Sequence, residues 1–149
     1  MDETAFRAAR GEINRLPCIF EKPLLARDAV CSLALNQAIA ERVTVACSSP
    51  LARAHCAALL GLLRENAGFA LKLRAHPLAL LPHAQAMKIQ SGGLRGLMQA
   101  LDPDAPSADV QRLVRTAIER PGGLEGLPWP TIVRAIGQWQ GRRRGTVKP

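Results

Sequence analysis

Four cysteines are the residues of this chain whose type and spacing could do chemistry. They are Cys18, Cys31, Cys47 and Cys56, spaced C-x12-C-x15-C-x8-C, and no cysteine follows them in a chain of 149 residues. Thiolates bind soft or borderline metals, and four of them complete either a zinc site or a cubane iron–sulfur cluster. The grouping of all four in the first part of the chain therefore predicts one metal centre.

The wide spacing of the cysteines helps to choose the metal. Structural zinc sites are usually built from C-x2–4-C pairs, and this chain has no such pair. A cubane is several ångströms across, so its ligands can arrive from separate elements. We therefore expect one [4Fe-4S] cluster, with zinc as the alternative metal at the same four cysteines. Buried free thiols and disulfides are the two interpretations without a metal.

Local signals predict how the chain presents these thiols. Cys18 follows a break at Leu16-Pro17, Cys31 directly precedes a predicted helix, and Cys47 directly precedes the capping sequence Ser48-Ser49-Pro50. A thiol at a helix N-terminus has a lowered pKa. Cys56 lies two turns into the helix that is predicted to begin at Pro50, and its side chain is expected to face back toward Cys47. The cations expected to offset a cluster of four thiolates are Lys22, Arg27, Arg42, Arg53 and Arg64.

The composition predicts helices as the elements that position the cysteines. Apolar residues make up 48% of the chain but aromatic residues only 3%, with no Tyr. A β-sandwich or barrel normally draws on aromatic residues, whereas the abundant Ala and Leu are strong helix formers. The expected fold class is all-α, an irregular bundle of about five to seven helices around one core.

Hydrophobic spacing and capping signals place these helices along the chain. The predicted helices cover residues 2–15, 32–42, 50–73, 83–89, 94–101 and 131–140, with a short helix from Pro23 and about 12 residues from Ser107. Residues 43–46 are expected to form a turn or a short extended piece. The expected organisation is one helical domain over residues 1–141, with the cysteine region at 16–73 and a basic tail at 142–149.

The net charge of the chain is +8, and this charge indicates which classes of partner the chain could bind. A basic surface can meet nucleic acid, an acidic protein or an anionic membrane. The alternative function is therefore a zinc-stabilised nucleic-acid-binding module, although the arginines are spread along the chain and few aromatic side chains are available for stacking on bases. A helical adaptor with inert cysteines is the third interpretation. The first remains an iron–sulfur protein acting in electron transfer or redox sensing with a protein partner.

Several segments resemble a family of small uncharacterised bacterial four-cysteine proteins. The resemblance covers about residues 16–100 and includes the block from Cys47 to Leu73. It implies that the four cysteines are a set, and it implies no activity. The shorter segments that carry it are Pro17-Cys18-Ile19-Phe20-Glu21-Lys22, Cys31-Ser32-Leu33-Ala34, Ile39-Ala40-Glu41-Arg42, Met87-Lys88-Ile89-Gln90 and Gly92-Gly93-Leu94.

Other candidate residues point to structure rather than to catalysis. The chain has no HExxH, P-loop or GxGxxG motif and no Ser-His-Asp order, so an enzyme is not expected. Ser91-Gly92-Gly93 is expected to serve packing or a turn rather than an anion site. Surface roles are expected for His55, His76 and His83, salt bridges for Glu21 with Lys22 and Glu41 with Arg42, and core packing for Trp129 and Trp139.

The sequence also carries an expectation about location. No apolar run reaches about 18 residues, and the first residues contain no apolar segment of the kind that a secretory signal needs. We therefore expect a cytoplasmic protein, in a compartment where cysteines serve metals or redox chemistry more often than disulfides.

Overall fold

The structure is a computed structural model that describes residues 3–72 and 82–141. Within these ranges six helices and four strands follow one another along the chain. They are α1 (Glu3–Ile13), α2 (Glu21–Leu25), β1 (Ala29–Val30), β2 (Ala34–Ile39), β3 (Arg42–Cys47), α3 (Pro50–Ala70), α4 (His83–Leu101), β4 (Ala108–Asp109), α5 (Val110–Glu119) and α6 (Trp129–Gln138).

The prediction of an all-α fold is wrong, because two small sheets make the fold mixed α/β, although helices dominate. The predicted helix at residues 32–42 is instead one half of the antiparallel hairpin β2–β3, in register from Ala34 opposite Cys47 to Ile39 opposite Arg42. The β-branched run Val43-Thr44-Val45 supplies the partner strand. Pairing with this run overrides the weak helical spacing of the preceding residues, since propensity yields to tertiary context.

A second pairing joins distant parts of the chain. Strand β1 runs parallel to β4, with Ala29 opposite Ala108 and Val30 opposite Asp109. Asp109 then caps α5, where its side chain accepts a hydrogen bond from the Arg112 backbone at 3.3 Å. Helix α5 thus begins at Val110, later than the predicted start near Ser107.

The strongest helix prediction is confirmed in α3. Its N-cap is Ser49, whose hydroxyl accepts the Ala52 backbone N–H at 3.1 Å, and Pro50 begins the helix. Three α3 residues, Leu59, Leu63 and Ala67, are fully buried in a core shared with α4, α5 and α6. Apolar residues that recur every four positions lie on one face of a helix.

Helix α4 joins two segments that the sequence predicted as separate, and its glycines lie where α6 packs against it. A Cβ at Gly96 would lie 2.9 Å from the Ile132 Cα, and one at Gly92 would lie 2.9 Å from the Ile136 Cα. Both glycines therefore let α6 approach α4 at backbone distance, which confirms the predicted packing role of this segment.

No helix in residues 3–72 and 82–141 is long and apolar enough to cross a membrane. The predicted connector at 74–82, apart from its last residue, and the basic tail at 142–149 lie outside the described residues.

Candidate metal centre

Cys18 and Cys47 lie on neighbouring extended segments. Pro17 forms an antiparallel bridge with Ala46 beside the β2–β3 hairpin. The Cys18 N–H donates to the Val45 carbonyl at 2.9 Å, and the Cys47 N–H donates to the Leu16 carbonyl at 2.7 Å. Because side chains alternate across a strand, the two cysteines share one face, as diagonal neighbours with Cα atoms roughly 7–8 Å apart.

Cys31 reaches the same end of the hairpin through a turn. The Ala34 N–H donates to the Cys31 carbonyl at 3.2 Å, and Ala34 is the residue paired with Cys47. The turn is held because both the backbone N–H and the hydroxyl of Ser48 donate to the Leu33 carbonyl, at 2.9 and 2.8 Å. Cys31 is therefore one turn away from the strand position opposite Cys47.

Cys56 approaches from helix α3. The Arg53 Nε donates to the Pro17 carbonyl at 2.7 Å, which ties the first turns of the helix to the residue before Cys18. Residues three apart on a helix share a face, so Cys56 lies on the same side as Arg53. Cys18, Cys31 and Cys56 all pack, half-buried, against the one hydrophobic core.

The thiols of this region interact electrostatically. Burial raises the pKa of Cys18 to about 11, and the charges of Cys31 and Cys47 add to the rise. Burial also raises the pKa of Cys56 to about 12, with further increases from Cys18, Cys31 and Cys47. At Cys18 the effect of burial outweighs a backbone hydrogen bond from Phe20, which acts to lower the pKa.

The four cysteines are free thiols. Among the described residues, no three His, Cys, Asp or Glu side chains are grouped so that they could hold a metal ion. The thiols are therefore neighbours in one region and not an assembled ligand set. Their donor chemistry suits zinc or an iron–sulfur cluster, but binding requires the sulfur atoms to close around the metal.

Charged residues around the thiols have partners other than those predicted. The Glu21 carboxylate accepts from the Arg10 guanidinium at 2.6 Å and from the Val45 N–H at 2.8 Å. At the far end of the hairpin, Arg42 pairs with Glu3 at 2.9 Å. Of the five cations expected to offset a cluster, Arg53 is hydrogen-bonded to the Pro17 carbonyl, in the peptide that leads into Cys18.

Two of the histidines have other surroundings. His55 lines a cavity between α3 and α5 together with Arg115, and His83 is hydrogen-bonded to Lys22 at 3.0 Å. His76 lies outside the described residues. Neither His55 nor His83 belongs to a group of described side chains that could hold a metal ion.

The two tryptophans have different environments. Trp129 packs against the core, as predicted, and its indole N–H donates to the Leu124 carbonyl at 3.2 Å. Trp139 caps the C-terminus of α6 and lines a cavity with Arg27 and Arg95.

A cleft beside Cys31 had no signal in the sequence. Its volume is about 380 Å³, and Cys31, Leu24, Val30 and Leu35 are among its lining residues. Val30 and Leu35 are each 51% exposed. Cys31 therefore borders an open cleft that includes exposed apolar side chains.

Comparison of this chain with protein-family models, with curated protein sequences and with solved structures finds no match.

Proposed function

We propose that the chain binds one [4Fe-4S] cluster through Cys18, Cys31, Cys47 and Cys56, and that it transfers or senses single electrons together with a protein partner. The observation that carries the proposal is that the four cysteines lie in one region, at one end of the β2–β3 hairpin and on the adjoining part of α3. The resemblance to four-cysteine proteins supports the same reading, since it implies that these residues act as a set.

The state of the thiols argues against thiol catalysis. The thiolate is the reactive form, and burial raises the pKa values of Cys18 and Cys56 to about 11 and 12. Both side chains therefore stay protonated near neutral pH and are poor nucleophiles. A metal displaces the thiol proton when it binds, so protonated thiols are compatible with a metal centre.

The surroundings of the thiols suit a negatively charged cofactor. When bound, the cluster supplies a one-electron couple. The Arg53 guanidinium lies beside the Pro17–Cys18 peptide, and Cys47 precedes the N-terminus of α3, where the helix dipole favours negative charge. The core behind Cys18, Cys31 and Cys56 excludes water, while the cleft at Cys31 leaves one edge for a partner.

Anaerobic purification with iron, sulfide and zinc analysis tests the proposal. We expect a brown protein with about four iron and four sulfide per chain. Replacing any one of the four cysteines by Ser should abolish or strongly lower the iron content. The control is Ser32→Ala, which changes an exposed residue next to Cys31 and should keep full iron content.

Two other results would replace the proposal. A colourless protein with one zinc and salt-dependent binding to DNA or RNA would establish the nucleic-acid-binding alternative. A colourless, metal-free and stably folded protein, obtained even after anaerobic reconstitution with iron and sulfide, would leave a helical adaptor with inert cysteines.

A further inference from the structure

A second cavity lies on another part of the molecule, and no cysteine lines it. It opens between the turn after α2, the middle of α4 and the end of α6, and its volume is about 250 Å³. Ligand pockets usually measure about 300–1,000 Å³, so this one suits a small molecule. The polar or aromatic residues that line it are Arg27, Asp28, Ser91, Arg95, Ser107 and Trp139.

Arg27 occupies a backbone position that normally takes glycine. It follows the end of α2 with φ 63°, while the Asp28 N–H donates to the Pro23 carbonyl at 2.9 Å. This is the helix-ending arrangement in which glycine is usual, because other side chains are strained there. The strain is tolerated at a residue whose guanidinium lines the cavity.

The two arginines of the cavity have no carboxylate partner. Among residues 3–72 and 82–141, no ion pair involves Arg27 or Arg95. Guanidinium groups bind oxyanions through paired, charge-assisted hydrogen bonds. Two of them in one small cavity therefore favour an anionic group.

The residues at the floor of the cavity favour a ligand that carries a hydrogen-bond donor. Ser91 is buried, 4% exposed, and its hydroxyl donates to the Asp28 Oδ2 at 2.9 Å. The other carboxylate oxygen of Asp28 has no hydrogen bond within the described part of the chain and is available as an acceptor. Two arginines and one aspartate leave a net charge of +1, which matches a monoanion that also carries a hydrogen-bond donor.

Trp139 lines the remaining side of the cavity. A Cβ at Gly92 would lie 3.0 Å from the Trp139 Cβ, so the glycine lets the tryptophan sit directly against α4. An indole ring in the wall of a cavity covers the carbon atoms of a small ligand. The Ser91-Gly92-Gly93 segment thus contributes both a hydroxyl to the floor and the space for this ring.

We infer that this cavity binds a small carboxylic acid bearing a hydroxyl or amino group, with its carboxylate on Arg27 and Arg95 and its donor on Asp28. The inference does not depend on the metal centre.

Titration of the full-length, ¹⁵N-labelled protein with lactate and with propionate tests this site. The two acids differ by one hydroxyl, and inorganic phosphate is the third probe. The Trp139 indole N–H, identified by its loss in Trp139→Phe, should shift saturably with lactate, while the Trp129 signal stays in place. Lactate should bind about tenfold more tightly than propionate, the ratio expected for one hydrogen bond to a charged group.

Five variants separate binding from stability. Arg27→Gln and Arg95→Gln should each weaken lactate binding about tenfold, whereas Arg134→Gln, an exposed arginine on α6 outside this cavity, should not. Asp28→Ala should bring the lactate-to-propionate ratio close to one. Arg27→Gly should lose binding but raise the Tm, because glycine relieves the left-handed backbone.

Three outcomes would overturn the inference. The first is no saturable shift at millimolar lactate. The second is an equal loss of binding in Arg134→Gln and Arg27→Gln, which would mark a general charge effect. The third is phosphate binding tighter than lactate and unchanged in Asp28→Ala, which would describe an anion site without a donor requirement.

Discussion

The cysteine region and the α4–α6 pair are held together by different forces. Around the cysteines, side chains bind the backbone of distant segments, and the Val45 peptide is the meeting point. Its carbonyl accepts from the Cys18 N–H at 2.9 Å and from the Asn14 Nδ2 at 3.0 Å, and its N–H donates to Glu21 at 2.8 Å. Between α4 and α6, glycines at 92 and 96 bring backbone against backbone.

This difference indicates that one kind of contact can stabilise the fold while another kind sets the positions of the cysteines. Apolar packing is roughly proportional to buried area and has little directionality, so it stabilises the helices without fixing any one side chain. Hydrogen bonds are directional, and those at Val45 define where Cys18 lies relative to Cys47. They also carry a cost, since the Asn14 Oδ1 and the Thr44 Oγ1 are buried without a partner.

The largest expected effect comes from the packed helices. Leu63 is fully buried, and its Cδ2 would lie 2.7 Å from a Cβ at Gly93. Leu63→Ala should lower the free energy of unfolding by about 2–5 kcal/mol in urea titrations. The matched control is Leu51→Ala, at a residue 68% exposed, which should change stability little. Iron content per folded chain should stay near that of the wild type, and its loss would contradict the separation of the two regions.

Removing the charge of Glu21 should have a smaller effect on stability and a greater one on the site. Its carboxylate joins Arg10 to the Val45 N–H, and a hydrogen bond to a charged group contributes about 1.5–3 kcal/mol. Glu21→Gln should lose about that much and should also lower iron occupancy. Glu41→Gln makes the same charge change at an exposed hairpin residue. Equal iron content in both variants would show that the Val45 contacts do not order the cysteines.

The two raised thiol pKa values predict a loss of stability in the metal-free protein whose size depends on pH. The ordinary value of 9.0 rises to about 11 at Cys18 and to about 12 at Cys56, so the folded chain keeps protons that the unfolded chain has lost. Stability is therefore unaffected below about pH 9 and falls as the pH rises from there towards 11 and 12. Urea unfolding across this range measures the slope.

The double variant Cys18→Ser, Cys56→Ser supplies the baseline for that measurement. The chain has no Tyr, so lysines are the main other groups that titrate there. An identical slope in the variant and in the wild type would rule out the thiols as its source.

The smallest effect, a stabilising one, concerns the hairpin turn. Ala40 has φ 56° between β2 and β3, a left-handed conformation that favours glycine in two-residue hairpin loops. Ala40→Gly should raise the free energy of unfolding by about 0.5–1 kcal/mol. Ala57→Gly, at an exposed position inside α3, should instead lower it by about the same amount. Destabilisation by both would mean that the turn is not strained.

Local signals in the sequence were sufficient for some elements. Ser49-Pro50 predicts the start of α3 because both residues act on the adjacent backbone, and Ser49 does cap the helix. The prediction failed at Cys31, which precedes a turn and β2 instead of a helix. The signal that decides this segment lies outside it, in the β-branched residues of β3.

The sequence by itself determined that the chain has four cysteines close together, a long capped helix after Cys47 and glycines where α4 must pack tightly, because each of these depends on neighbouring residues. Only the tertiary structure decided that residues 34–47 pair as a hairpin, that Arg53 reaches Pro17, and that Arg27 and Arg95 share a cavity. These contacts join residues far apart in the chain, and their free energy depends on which distant surfaces meet when the core forms.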